Sequence, residues 1–301
     1  MKKLFTAIGS IITGAAIVWG TIVFKTTGHT LKAKVPEGIE YKFDFVPEKL
    51  VMLGDTGMCN KGFYDLAAQI DSVGTHVTIN GDLGYPTGLK SQIAFDGCLA
   101  SVFRFSLVSL NMGNHDFYEK KLFKKKMREN YFKYASKHQN IVFDNDFYVN
   151  NYNGEICQLV ISTYVHESIK ASKLEEDQQK FIDKFLVRTD CKIKIVNGHH
   201  GPYASDESHG KEKLPKRRKK MWRGILKRVH AISTGHSHLT AEEKAKGKTR
   251  VLISGASSKL NHCTGKSKEG KSIFCNDTEL GGWEYDTALN EWNAIFLEKE
   301  I

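Results

Sequence analysis

Short apolar, β-branched runs recur along this chain and alternate with longer stretches whose apolar residues fall at helical spacing. The runs at 49–54, 75–80, 105–112, 156–163, 192–197, 230–234, 250–254 and 292–297 have the length and composition of strands. Between them, 61–73, 89–103, 119–137, 175–189 and 215–229 are predicted as helices. Within 175–189, Phe181, Ile182, Phe185 and Leu186 recur at i, i+4 spacing, which predicts a core-facing stripe. Asn153-Gly154, between "DFYVNNY" and "EICQLVIST", predicts a hairpin turn. Alternating strand and helix predicts an α/β fold, with some antiparallel pairing late in the chain. Residues 25–46 read as a linker, leaving 47–301 as one folded domain.

The N-terminus has a different pattern. Leu4 to Phe24 is a run of 21 residues with no charge, behind Lys2 and Lys3. That is long enough to cross a hydrocarbon core of about 30 Å at ~1.5 Å per residue. Residues 1–24 are therefore expected to be a transmembrane anchor or a cleaved signal segment, with a buried core helix as the remaining alternative. The run outlasts the usual apolar stretch of a signal peptide and has no A-x-A end, which favours the anchor. The two lysines keep the short N-terminus cytoplasmic, so the rest of the chain is expected outside, anchored to the membrane or, after cleavage, secreted.

All six cysteines (59, 98, 157, 191, 263 and 275) follow this segment, and an exported chain permits disulfides. Cys263 and Cys275 bracket a polar loop that a bridge would staple. Cys157 and Cys191 each open a β-rich run and would meet if those strands were neighbours; buried free thiols are the alternative. The chain carries 44 Lys+Arg against 34 Asp+Glu, a net charge of +10. That suits anionic partners or simply a solvated basic surface. "KEKLPKRRKK" (211–220) concentrates the charge, and would steer phosphorylated substrates, meet anionic lipid, or form a solvated helix start.

In open α/β sheets, ligands bind beyond the carboxyl ends of strands. Here those ends read "VMLGDTG", "VTINGDLGY", "LVSLNMGNHD", "IKIVNGHH" and "AISTGHSH". Each is a run stopping at Gly or Asn-Gly, followed by a metal-capable side chain. Singly, each would pass for a turn or a helix cap. Together they gather Asp55, Asp82, Asn114, His115, His199, His236 and His238 on one sheet edge. Two cations sharing a bridging carboxylate need such a mixture of nitrogen and oxygen ligands. No cysteine lies among these ends, and imidazole with carboxylate and amide oxygen suits iron, zinc or manganese.

These motifs resemble those of the calcineurin-like metallophosphoesterases, whose general signature is D-x-H, G-D-x-x-D, G-N-H-[DE], a later His and G-H-x-H. Gly57 stands where the first motif carries His, and Tyr85 where the second ends in Asp. Both departures match the purple acid phosphatase branch: Gly54-Asp55-Thr56-Gly57, Gly81-Asp82-Leu83-Gly84-Tyr85, Gly113-Asn114-His115-Asp116, Val196-Asn197-Gly198-His199 and Gly235-His236-Ser237-His238 follow its pattern in order. Size, "LISGASS" and "LGGWEYD" are similar to the small, tartrate-resistant (type 5) members. The resemblance implies a sandwich of two mixed β-sheets flanked by helices. It implies a Fe³⁺ site at Asp55, Asp82, Tyr85 and His238. A second site, for Fe²⁺, Zn²⁺ or Mn²⁺, would use the bridging Asp82 with Asn114, His199 and His236. It implies that His115, and His209 of "ESHG", act on the leaving group. The implied activity is an acid phosphatase cleaving phosphomonoesters of small molecules or phosphoproteins by attack of a metal-bound hydroxide. A phosphodiesterase or nucleotidase of the superfamily, or a membrane-tethered non-enzymatic scaffold, are the rivals. No nucleic-acid partner and a monomeric state are expected. Thr56, where relatives carry Trp, and His200-Gly201-Pro202-Tyr203 depart from the branch, the latter at the expected substrate rim.

Overall fold

Every run read as a strand forms one. The structure, a computed structural model, describes residues 30–35, 38–85, 99, 102–116, 124–166, 173–209, 214–245, 247–264 and 272–298. The strands are β1 (Thr30–Val35), β2 (Gly38–Phe43), β3 (Lys49–Leu53), β4 (Thr75–Asn80), β5 (Leu107–Asn111), β6 (Ile141–Val142), β7 (Tyr148–Tyr152), β8 (Ile156–Val160), β9 (Ile193–Gly198), β10 (Ala231–Thr234), β11 (Thr240–Glu243), β12 (Arg250–Ser254), β13 (Ser272–Asn276), β14 (Gly281–Asp286) and β15 (Glu291–Phe296). The helices are α1 (Lys61–Ile70), α2 (Lys124–Ala135), α3 (Lys173–Leu186) and α4 (Lys216–Ile225). The apolar segment Leu4–Phe24, Cys98 and most of the helix expected over 89–103 lie outside the described residues. Among the described residues no helix is long and apolar enough to cross a membrane.

The strands build two mixed sheets. One runs β1-β2-β7-β8-β9-β10-β12-β11-β13 and the other β15-β14-β3-β4-β5-β6. Pairing is parallel through β3-β4-β5 and through β8-β9-β10-β12, and antiparallel at β11, β13, β14 and β15. Asn153 and Gly154 both take positive φ in the turn between the antiparallel strands β7 and β8, as Asn-Gly favours. The stripe Phe181, Ile182, Phe185 and Leu186 of α3 meets Met221, Trp222 and Ile225 of α4 over Leu159, Val196, Ile232 and Val251 of the long sheet. On the short sheet, Phe63, Leu66, Ala67 and Ile70 of α1 join Leu50, Val77 and Ile79 in the main core. Asn60 caps α1 by accepting from Phe63 N at 3.0 Å.

The layer between the sheets is unusually polar. His76, Thr78 and Asn80 alternate along β4 and reach across to the long sheet. Gln158 Nε2 donates to Thr78 Oγ1 at 2.7 Å, and Asn150 Nδ2 donates to Ser109 Oγ at 2.8 Å. Asn80 Nδ2 donates to Ser233 Oγ at 2.9 Å and lies 3.1 Å from Ser254 Oγ, while Asn197 Nδ2 donates back to Asn80 Oδ1 at 3.2 Å. Buried polar groups are tolerated when they satisfy one another in this way.

The linker reading of 25–46 fails at its C-terminal half. β2 pairs in parallel with β7, and β1 pairs with β2. Tyr41 and Phe43 are buried, and Glu40 is held by Arg188 at 2.8 Å and Asn151 at 2.9 Å. A mixed polar and apolar strand hid in a stretch without a continuous apolar run. The loop expected between Cys263 and Cys275 likewise holds β13 as an edge strand. The bridge expected at Cys263–Cys275 is formed, Cys157 and Cys191, left open between a bridge and free thiols, are bonded to each other, and Cys59 is disulfide-bonded as well. Cys157 and Cys191 meet because β8 and β9 are neighbours.

Candidate metal centre

The two sheets share one cluster. β3, β4 and β5 of the short sheet end just before Asp55, Asp82 and Asn114; β9 and β10 of the long sheet end just before His199, His236 and His238. Asp55, Asp82 and His236 all adopt left-handed backbone, at φ 57°, 52° and 69°. Each such non-glycine conformation costs on the order of 1–3 kcal/mol and persists only where the surroundings impose it. The glycines allow close approach of the loops. A Cβ on Gly81, itself at φ +84°, would lie 2.6 Å from His199 Nδ1. Ser257 Oγ accepts from Gly54 N at 3.1 Å and Ser258 Oγ from Met58 N at 3.2 Å, so the "LISGASS" run clamps the Asp55 loop.

Two donor groups result. In the first, Tyr85 Oη lies 3.1 Å from Asp55 Oδ1, 3.0 Å from Asp82 Oδ2 and 3.2 Å from His238 Nε2. Neighbouring donors around an octahedral cation bound at about 2.1 Å stand roughly 3.0 Å apart, so this spacing fits a metal. In the second, His199 Nε2 lies 2.8 Å from Asn114 Oδ1 and 3.3 Å from Asp82 Oδ1. Asp82 thus turns one oxygen toward each group, placed to bridge two cations. His236 packs 5.2 Å from His199, ring centre to ring centre. His199 Nδ1 donates to the Asn80 carbonyl at 2.7 Å, which leaves Nε2 bare for a metal.

The electrostatics point the same way. Burial, and then Asp55, push Asp82 well above the usual carboxylate range. Burial would raise Asp55 too, but His238, His199 and the His236 backbone N–H outweigh it and hold it low. Burial drives His199, His236 and His200 downward, toward the neutral form that binds metals. Burial, with Asp55 and Asp82 alongside, pushes the Tyr85 phenol far up, so drawing off its proton takes a strongly polarising cation. Two buried carboxylates side by side are costly without a balancing cation.

The residues expected near the leaving group flank this cluster. His115 is half-buried, packs edge-on to Tyr85 at 4.6 Å and has Nε2 4.0 Å from Asp82 Oδ2. Its ring is held down by burial and by His199. His209, the loosest of the sequence assignments, stands 4.1 Å from the His236 ring, with Nδ1 donating to Asp206 at 3.0 Å. All nine site residues named from the sequence therefore converge.

Three others were not assigned. Asp206, three residues before His209, orients its ring. Asp116 takes hydrogen bonds from Gly113 N at 2.7 Å and Leu83 N at 3.1 Å, and burial with Asp82 pushes its carboxyl up to about 7. His200 is not at a rim: it is buried 4.3 Å from His236, and His199, His200 and His236 form one possible ligand group. Only the His-His pair in sequence signalled it.

The family model of the calcineurin-like phosphoesterases matches residues 48–239, which include every site residue above. The chain belongs to the calcineurin-like phosphoesterase family. Phosphoesterases of this family use a dinuclear metal centre on phosphorylated substrates, and Asp55, Asp82 and His238, with His199, His200 and His236, are candidate ligand groups for one here. No curated protein matches the sequence. Among solved structures, GAP50 of Plasmodium, described as the anchor in the inner membrane complex, is similar at TM-score 0.60 and 15% identity, covering 84% of this chain and 89% of that one. The purple acid phosphatase PPD1 of yellow lupin (Lupinus luteus) is similar at TM-score 0.56 and 14% identity, over 82% of this chain and 51% of that one. PhoD is similar at TM-score 0.52 and 10% identity, over 87% and 75%. At these identities the likeness is one of fold.

Proposed function

We propose that this phosphoesterase is an acid phosphatase of the purple type, similar to the small tartrate-resistant members, cleaving phosphomonoesters. The observation that carries the reading is the Tyr85 phenol, 3.0–3.2 Å from two carboxylate oxygens and an imidazole nitrogen. A phenolate is a hard anionic donor that favours Fe³⁺. Asp55, Asp82, Tyr85 and His238 would hold that ion, and Asp82, Asn114, His199 and His236 a divalent partner, Fe²⁺, Zn²⁺ or Mn²⁺. When bound, such a pair polarises the phosphoryl oxygens and makes water a nucleophile at neutral or acid pH. The chain's own residues do the rest. Asn80 and Asp82 fix His199. His115 and His209 face the cluster from two sides, placed to hold a proton for the departing alcohol. Asp206 keeps the Nδ1 proton of His209 occupied, which leaves Nε2 for that transfer.

We read Leu4–Phe24 as an uncleaved anchor, with the domain on the extracytoplasmic side. The disulfides support an oxidising compartment.

The test is metal analysis and a visible spectrum of the purified chain, followed by turnover of phosphomonoesters, phosphodiesters and nucleotides. Two metals, a broad visible band and preference for monoesters are expected. A colourless protein that cleaves diesters or nucleotides would make it a divalent-metal phosphodiesterase or nucleotidase. Absence of both metal and turnover would leave a tethered scaffold.

A further inference from the structure

The chain enters the domain at the end opposite the metal centre. Strand register fixes this: Thr30 pairs with Phe43, Phe43 with Tyr152, Tyr152 with Ile156 and Ile156 with Ile193. Ala231 in turn pairs with Ile195 and Arg250. Thr30 and the first residues of β8, β9, β10 and β12 therefore share one edge of the long sheet. The ligands follow the last residues of β9 and β10, some five or six residues away at about 3.3 Å each.

That entry end is also basic. A groove of about 700 Å³ opens there between the starts of β9, β10 and β12 and the hairpin β14–β15. Exposed Lys227, Arg228 and Lys248 line it with Trp292, against one carboxylate, Glu291. Of the other acids at this end, Glu155 binds Lys192 at 2.6 Å and Asp190 binds Arg188 at 2.7 Å, while Asp286 stands opposite Glu291 in the hairpin. A cationic groove rimmed by an indole matches the headgroup layer, where anionic phosphates attract Lys and Arg and tryptophan prefers to sit.

Only residues 25–29 separate the apolar run from Thr30. Five residues span at most about 18 Å. The headgroup layer beyond the hydrocarbon takes up roughly 5–8 Å of that. Thr30 is thus held at most about 10–13 Å beyond the headgroups, little more than a Debye length of ~8–10 Å, and the groove opens at the same end of the sheet, four strands across from it. We propose that the face formed by Lys227, Arg228, Lys248 and Trp292 rests on anionic lipid headgroups, which turns the metal centre away from the membrane. This orientation rests on the reading of Leu4–Phe24 as an anchor.

The full chain, reconstituted in nanodiscs of phosphatidylcholine with or without phosphatidylglycerol, tests it by lysine acetylation read by mass spectrometry. Lys227 and Lys248 should react at least about three-fold more slowly in the anionic discs than in the neutral ones. Lys259, exposed beside His115 at the other end, should react equally in both. The variant Arg228→Glu should weaken the protection of both lysines without loss of turnover. Chain that copurifies with the discs but leaves Lys227 and Lys248 equally reactive, or protects Lys259 instead, overturns the orientation alone. Chain that does not enter the discs overturns the anchor, and the orientation with it.

Discussion

At position 57 there is no room for a side chain: a Cβ there would stand 2.6 Å from the Gly84 backbone. Tyr85 N donates to Gly57 O at 2.9 Å and Gly57 N to Asp82 O at 3.1 Å, so the two ligand loops are zipped together. The phenol enters from one loop because the other has no space for a histidine. Tyr85→Phe should therefore abolish the visible band while circular dichroism stays unchanged, and Gly57→His should not restore metal binding. His115→Ala should keep both metals by elemental analysis while kcat falls on the order of 10²–10⁴-fold. Far from the cluster, His76 is buried against Ser109 and Tyr152, and burial pushes its pKa down to about 3. Below the unfolded value near 6.5, the unfolded chain takes up a proton that the folded one refuses. Stability should therefore fall by about 1.4 kcal/mol per pH unit from ~6.5 down toward ~3. Urea unfolding at two pH values should show a slope shallower by about 1.4 kcal/mol per pH unit in His76→Asn than in the wild type, since the other buried imidazoles keep their own share. The ligands were legible in the sequence because each follows an apolar run and a glycine. Asp206, Asp116 and His200 were not, because they act only through neighbours that folding brings to them.

Among the elements, strands with continuous apolar runs were visible from the sequence. β2 was not: "GIEYKF" is half polar, and its Glu40 is buried only because Arg188 and Asn151 come from distant parts of the chain to hold it. β13, an edge strand between disulfide-bonded cysteines, had too little apolar character to stand out from a loop. The burial of Tyr41 and Phe43 on β2 has a practical consequence. A chain truncated to start at Val46 would lose the burial of Tyr41 and Phe43, worth on the order of 3–6 kcal/mol together. It would also expose the β7 edge. It should aggregate or melt well below a chain starting at Thr30, as size-exclusion chromatography and thermal unfolding would reveal. Equal stability of the two would mean that β1 and β2 contribute nothing to the domain.

For the molecule as a whole, the candidate metal centre joins two sheets, the short one carrying four of the seven donors and the long one three. Ligands that bind only the folded state stabilise it by mass action, about 2.7 kcal/mol at a concentration 100 times Kd. For a domain of this size that is a rise in Tm of roughly 5–10 °C. Adding a chelator should lower Tm by such an amount, and Asp82→Ala, which removes the shared donor, should no longer respond to it. The polar layer between the sheets has a consequence for assembly. Two greasy faces could slide past one another by a pleat, about 6.6–6.8 Å, with little change in contact. His76, Thr78 and Asn80 work instead like the teeth of a key, since each finds its partner at a single offset and a displaced sheet would strand every one of them. A slip of one pleat would also carry the imidazoles out of reach of the carboxylates, when such a constellation tolerates only about 0.5 Å. The interior thus works as an alignment jig, and docking the sheets correctly and assembling the donor cluster become a single event.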